Sequence, residues 1–191
     1  MQQRALPDRV KLPFAFDPAS LVRDLQTLQG GDWTPHFVPQ NFAGDWSVIP
    51  LRACAGETHP IRLIYSDPAA TAWVDTPQLA RAPYLRQVLA AFRCPLRTAR
   101  LMRLTPGSVI HAHRDDDLQA ESGVARIHVP VTTNPDVTFL LNDRRVEMAP
   151  GEAWYLRLAD SHAVRNDGAS DRVHLVLDAT VNDWLAGMLR A

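Results

Sequence analysis

Lysine is almost absent from this chain: of its 20 basic residues, Lys11 alone is not arginine. No basic run stands out and the net charge is −1, which argues against nucleic acid or another polyanion as partner. The arginine bias itself reads mainly as base composition, yet it means that most cationic sites carry a fork able to grip a carboxylate through two bonds. Cysteine is scarce too. Cys54 and Cys94 lie far apart with no metal or redox spacing, so a disulfide scaffold is excluded and both read as buried free thiols. No apolar run approaches the length of a membrane span, and residues 1–7 lack the apolar stretch of a signal peptide. Together these point to a cytoplasmic protein with no membrane partner. Internal repeats and low-complexity segments are absent as well.

What is present is ordinary globular material. With 191 residues, 46% hydrophobic and 21% charged, the chain is expected to form one domain around one core. Lys11 to Phe16 alternates like a short strand, and Asp17 and Pro18 are an N-cap and first helical residue. Leu21, Val22, Leu25 and Leu28 form an apolar helical stripe that Gly30 and Gly31 end. Residues 32–45 read as loop, Trp46 to Leu51 and Ile61 to Tyr65 as strands. A second helix starts at Pro83, with Leu85, Val88, Leu89 and Phe92 on one face, and stops by Cys94 and Pro95. Residues 1–96 are therefore expected to pack helices and a few strands against the C-terminal half of the chain.

From residue 97 short strands succeed one another: Thr98–Leu104, Ser108–His113, Val124–Thr132, Asp136–Leu141, Arg145–Met148, Glu152–Leu158, His162–Asn166 and Arg172–Ala179. Asn142, Asp143 and Arg144 read as a hairpin turn, and Asn182 caps a last helix carrying Trp184, Leu185, Met188 and Leu189. Closely spaced strands with turns between them predict a sandwich or barrel over 97–180, not alternating strands and helices.

The chemistry lies in that β region. His113 and Asp115 are two apart and share a face if the backbone stays extended; His162 is the third candidate. Two imidazoles and one carboxylate, with open positions left over, are the ligand set of non-haem Fe(II) oxygenases. A lone His-x-Asp is more often a solvated turn, and Arg114, Asp116 and Asp117 make that reading available here. His111 offers a second option, because His-x-His is a cupin metal pair, and His162 with Asn166 fits the end of the second cupin motif. The first cupin motif wants a Glu where Leu118 stands, so His111 is better read as an outer or substrate-facing group. Arg126 and His128 point to one face of their strand while Ile127 and Val129 point to the other; Arg172 shares a face with His174. Inward charge needs a reason: a dianionic ligand or an acidic partner in the protein.

Taken together, Arg100–Gly107, His111–Asp115, Arg126–Pro130, Pro150–Tyr155, His162 and Asp171–Asp178 resemble the aspartyl/asparaginyl β-hydroxylase family of Fe(II)/2-oxoglutarate-dependent oxygenases, which also includes free-proline hydroxylases. The resemblance covers residues 98–183. It implies a mainly β fold with flanking helices, built on a double-stranded β-helix (jelly-roll, cupin-like) core. It implies Fe(II) on His113, Asp115 and His162, and 2-oxoglutarate and O2 as cosubstrates. It also implies that Arg172 holds the distal carboxylate of 2-oxoglutarate, with Arg126 and His128 lining the same pocket. Some members lack the acidic ligand; Asp115 supplies it here. The resemblance further implies a small-molecule or peptide substrate, with Asp116, Asp117, His111, Arg103 and Arg165 as candidate contacts. Trp46 and Trp73 read as core or lid packing. Two other readings compete: a cupin-type metalloenzyme without 2-oxoglutarate, using His111, His113 and His162, and a non-catalytic jelly roll that binds a small acid.

Overall fold

A computed structural model describes residues 6–190. The reading of the first few residues as leaderless falls largely outside that range. In chain order the strands are β1 Arg9–Ala15, β2 Thr34–Pro35, β3 Phe42–Ala43, β4 Trp46–Cys54, β5 Trp73–Asp75, β6 Leu96–Leu104, β7 Val109–His113, β8 Val124–Thr132, β9 Val137–Leu141, β10 Arg144–Arg145, β11 Glu152–Leu156, β12 His162–Asn166 and β13 Arg172–Thr180. The α-helices are α1 Pro18–Leu28, α2 Pro60–Ile64, α3 Pro77–Ala80, α4 Pro83–Ala90 and α5 Asp183–Arg190.

Two antiparallel sheets face each other. The larger runs β1-β11-β8-β13-β6-β4-β2, with β5 also paired to β4, and the smaller runs β10-β9-β12-β7-β3. Alternation along the central strands serves two cores. Leu101, Ile127, Val129, Leu175 and Leu177 face α1, α4 and α5, where Leu21, Leu25, Leu85, Leu89 and Leu185 meet them. Their neighbours Met102, Leu104 and Val176 face the smaller sheet, against Ile110, Phe139, Leu141 and Val164. The strand faces that look between the sheets also carry Arg126, His128, Arg172 and His174, so the site is built into the sandwich. This is the expected double-stranded β-helix with flanking helices.

Local signals explain the elements. The Asp17 carboxylate accepts from Ser20 N at 2.9 Å, and Pro18 opens α1. Asn142 and Asp143 both have positive φ, 52° and 57°, and close the tight β9–β10 hairpin. Gly151 is obligatory: its φ is +83°, and a Cβ there would stand 2.1 Å from the Phe16 carbonyl oxygen.

Two expectations are corrected. The strand expected over Ile61 to Tyr65 is instead helix α2 as far as Ile64, because His59 accepts from Ile61 N through its side chain and Pro60 occupies the first helical position. The strand expected over Arg145–Met148 stops at Arg145. Beyond it Ala149 N donates to the Glu152 carboxylate and Pro150 has no N–H, so the segment leaves the sheet. Residues 32–45, expected as loop, also contain the short pairings β2 and β3.

Candidate metal centre and anion pocket

β12 pairs with β7 so that His162 lies opposite His113, and their ring centroids stand 4.2 Å apart. Asp115 lies just past the end of β7. A turn fixes it: its N–H donates to the Leu158 carbonyl at 2.8 Å, and its own carbonyl accepts from Leu118 N at 2.9 Å. The carboxylate thereby approaches both rings, 3.9 Å from His113 Nε2 and 3.9 Å from His162 Nε2. One ligand atom from each of the three lies within 4.8 Å of the others.

The tautomers suit a metal. His113 Nδ1 donates to the His111 carbonyl at 2.7 Å and His162 Nδ1 donates to the Asp160 carbonyl at 3.0 Å. Each ring therefore keeps an unprotonated Nε2 on the side of Asp115, the arrangement that orients metal-bound histidines. Burial also pushes His162 down to about 4, so its lone pair is free at neutral pH. The donor set fits a divalent cation such as Fe(II). His111 is exposed and lies outside the cluster; it contributes its backbone carbonyl.

A cavity of about 310 Å³ opens over these residues and is also lined by Arg126, His128, Phe139 and Arg172. Its arginines differ sharply in company. Asp178 is fully buried and accepts from Arg126 Nε at 2.6 Å, Arg126 Nη2 at 2.9 Å, Arg100 Nη2 at 2.7 Å, Thr98 at 2.9 Å and Ser66 at 3.0 Å. Burial alone would raise this carboxyl, but the Arg126 and Arg100 charges outweigh it and hold it well below the usual range. Arg126 reaches further, to Asp115 Oδ2 at 3.1 Å. Its inward charge therefore has acidic partners in the protein.

Arg172 has none. It is 3% exposed, no carboxylate among the described residues lies within ion-pair distance, and burial pulls its pKa down to about 9. Its Nε has no partner, and its Nη2 donates to His174 Nδ1 at 2.9 Å. His174 Nδ1 is thus an acceptor, so the 3.2 Å contact from His128 Nδ1 makes His128 the donor there. His128 Nε2 is left unprotonated, buried and unpartnered. Burial, and then the nearby Arg172 charge, keep both rings neutral. A buried guanidinium without a counter-charge is one that a bound anion would neutralise.

Six expected site residues, His113, Asp115, His162, Arg126, His128 and Arg172, thus line one cavity. Asp116 and Asp117 line it too. Arg103 does not: it stacks on Trp33 and bonds Ser47. Arg165 is exposed and paired with Asp167. Trp46 is buried yet stacks on His36 in the cavity wall, whereas Trp73 carries Arg97 on its face. Sequence reasoning gave no role to Asp178, Arg100 or Ser66. The even-numbered run of 172, 174, 176 and 178 on one strand was the available signal for Asp178. Cys54 and Cys94 are buried free thiols, as expected.

Fold and site can be set beside known proteins. The chain is 27% identical over 179 residues to an L-proline cis-4-hydroxylase of Rhizobium meliloti (strain 1021), covering 92% of this chain and 61% of that protein, so it spans less than two thirds of that relative. HygX from Streptomyces hygroscopicus, solved with nickel and 2-oxoglutarate bound, superposes with a TM-score of 0.55 at 14% identity over 92% of this chain and 84% of that one. An oxidoreductase of the 2OG-Fe(II) oxygenase family from Burkholderia pseudomallei gives 0.54 at 19% identity, over 91% and 85%. Both structural likenesses are likenesses of fold. No helix among the described residues is long and apolar enough to cross a membrane. The profile described as Aspartyl/Asparaginyl beta-hydroxylase matches residues 23–181, and the chain belongs to that family.

Proposed function

We propose that this protein is an Fe(II)/2-oxoglutarate-dependent dioxygenase that hydroxylates an amino-acid side chain, carried by a free amino acid or by a peptide. The observation that carries this reading is Arg172: a buried, unpaired guanidinium in the same cavity as the His113, Asp115 and His162 cluster. A metal cluster alone would fit many reactions; a metal cluster with a separate carboxylate receptor fits a 2-oxo acid cosubstrate. The curated relative bears the name of a proline hydroxylase, which agrees with a small amino-acid substrate.

In this reading His113, Asp115 and His162 hold Fe(II), and Arg172 holds the distal carboxylate of 2-oxoglutarate, with Arg126 and His128 completing that pocket. Fe(II) with 2-oxoglutarate and O2 supplies the oxidising power to place a hydroxyl on an unactivated C–H bond, leaving succinate and CO2. The chain's part is positional. Arg126 fixes one Asp115 oxygen, the carbonyls of His111 and Asp160 fix the imidazole tautomers, and Phe139 and Met102 keep the cavity wall apolar so that bound water is displaced when the ligands enter.

The test is anaerobic addition of Fe(II) and 2-oxoglutarate to apo protein, read by the weak visible charge-transfer band of the chelate. The band should appear, and at the same 2-oxoglutarate concentration it should be lost in Arg172→Ala while iron content holds. Iron binding without a band would favour a metalloenzyme that does not use the cosubstrate. Binding of neither would favour a non-catalytic jelly roll.

A further inference from the structure

Four arginines line the cavity, and only two are neutralised by the protein. Arg100 and Arg126 share Asp178. The third, Arg172, is the buried anion receptor. The fourth, Arg97, is half-buried, with no protein counter-charge: its Nε donates to Thr180 Oγ1 at 3.0 Å and its guanidinium lies over the Trp73 ring at 5.4 Å. Its two terminal nitrogens have no acceptor, and no carboxylate lies within ion-pair distance, among the described residues. Nε and the flat face are anchored, and the fork is left open. That is the arrangement for a carboxylate bound through two parallel bonds.

One ligand cannot serve both open forks. In the β6–β13 pairing Leu104 lies opposite Arg172 and Thr98 opposite Asp178, so Arg97 and Arg172 stand at opposite ends of the strand pair. Six residues of strand span about 20 Å, and Arg97 leans away from Arg172, because its Nε is held by Thr180, two residues beyond Asp178. The two carboxylates of a five-carbon diacid are only about 6 Å apart, at roughly 1.5 Å per C–C bond. Arg97 stands at the metal end: Asp178, opposite its neighbour Thr98, bonds Arg126, which in turn bonds Asp115. At this end Tyr65, Ser66 and Asp67 line the cavity, and Ser66 is tied to Asp178.

We infer that Arg97 is the receptor for a free carboxylate on the substrate, so that the protein selects a free amino acid over a residue within a peptide chain. This rests on the proposed dioxygenase reading, which assigns Arg172 to the cosubstrate. Asp67, Asp116 and Asp117 line the same cavity and supply the negative charge that an amino acid's ammonium group needs. Within a peptide bond the carboxylate becomes a neutral amide, and the fork loses the charge-assisted pair it makes with a free acid.

The experiment uses protein loaded anaerobically with Fe(II) and 2-oxoglutarate. The probes are the twenty proteinogenic amino acids and their carboxamides, titrated by calorimetry and by their perturbation of the chelate band. At least one free acid should bind, with its carboxamide weaker by about 30-fold or more. In Arg97→Gln that gap should close to within about 3-fold, while 2-oxoglutarate affinity and the chelate band stay as in the parent. Arg97→Lys keeps the charge without the fork and should fall between. If Arg97→Gln melts below the assay temperature, Arg97→Lys reads the same gap. Equal binding of acid and carboxamide, a gap that survives in the variants, or no binding from the panel to a protein that does form the chelate would overturn the role of Arg97. Failure of the parent to form the chelate would instead bring down the dioxygenase reading, and this inference with it.

Discussion

Arg126 bridges two carboxylates: its Nη1 donates to Asp115 Oδ2 at 3.1 Å, while its Nε and Nη2 grip Asp178 at 2.6 and 2.9 Å. Asp178 lies on β13 within the larger sheet, so the orientation of a candidate metal ligand is referred back to the rigid core through one guanidinium. Removing a partner from a buried ion cluster leaves an uncompensated charge, which costs more than the cluster contributes. Asp178→Asn should therefore destabilise the apo protein by about 3–5 kcal/mol, read from the urea midpoint. Fe(II) affinity should fall by about 10–100-fold, because Arg126 loses the anchor from which it positions Asp115. An unchanged metal affinity would show that Asp115 is placed by its turn alone.

The three proposed metal ligands should separate from their neighbour His111 in a direct binding experiment. His113→Ala and His162→Ala should each lose stoichiometric Fe(II), because each removes an Nε2 that faces the cluster. His111→Ala should retain it, since its imidazole lies outside the cluster and the carbonyl that orients His113 is unaffected. Iron content after gel filtration checks all three. Loss of iron in His111→Ala would favour the His-x-His set over the His-x-Asp set.

The β9–β10 turn offers a stabilising change. Asp143 holds φ at 57°, a conformation that costs an L side chain energy and costs glycine little. Asn142 must stay, because its amide nitrogen donates to Asp8 at 3.0 Å and to Asp160 at 2.8 Å. Asp143→Gly should raise stability by about 0.5–1 kcal/mol, whereas Asp143→Val should lower it by more than that. Thermal unfolding of the two variants checks both signs.

Acid should destabilise the fold well before carboxylates matter. Burial first, then the positive charges of Arg100 and Arg126, push His36 down to about 3. An unfolded histidine takes up its proton near 6.5. Between those values the unfolded chain binds more protons than the folded one, so stability is greatest above about pH 6.5 and falls as pH is lowered. His36 alone contributes a loss of about 2 kcal/mol between pH 6.5 and 5, at about 1.4 kcal/mol per pH unit. His128 and His174, whose pKa values burial and the Arg172 charge also lower, add in the same direction. Urea midpoints of apo protein at pH 7 and pH 5 test this, and His36→Phe should flatten the slope.

Much of this was legible because strand periodicity is strict. Ile127 and Val129 against Arg126 and His128, or Arg172 with His174, come from a period of two and hold in the structure. Asp115 comes beside His113 without the extended backbone that a shared strand face requires: it lies past the end of β7, and a turn through Leu158 and Leu118, the first more than forty residues away, brings it in. The helix at 60–64 is hard to read because five residues are too few for a helical stripe, and its histidine cap and proline start carry the only signal. The open fork of Arg97 was not readable at all. Which arginines are neutralised depends on long-range packing: Asp178 lies 78 residues from Arg100 and 52 from Arg126.

Arg172 sets stability against function. A buried cation without a counter-charge is held at a cost that a bound anion offsets. Arg172→Met keeps most of the volume and removes the charge, and should stabilise the apo protein by about 1 kcal/mol or more. In the parent, 2-oxoglutarate with Fe(II) should raise stability by about 2.7 kcal/mol at one hundred times its Kd. In Arg172→Met that increment should nearly vanish while metal content holds. Arg172→Lys separates charge from geometry: it keeps a cation but loses the fork and the contact with His174 Nδ1, so its cosubstrate affinity should fall by about 10–100-fold. If Arg172→Met were less stable than the parent and still gained the full increment from 2-oxoglutarate, the buried guanidinium would be a packing element, and the distal carboxylate would have to be sought at Arg126.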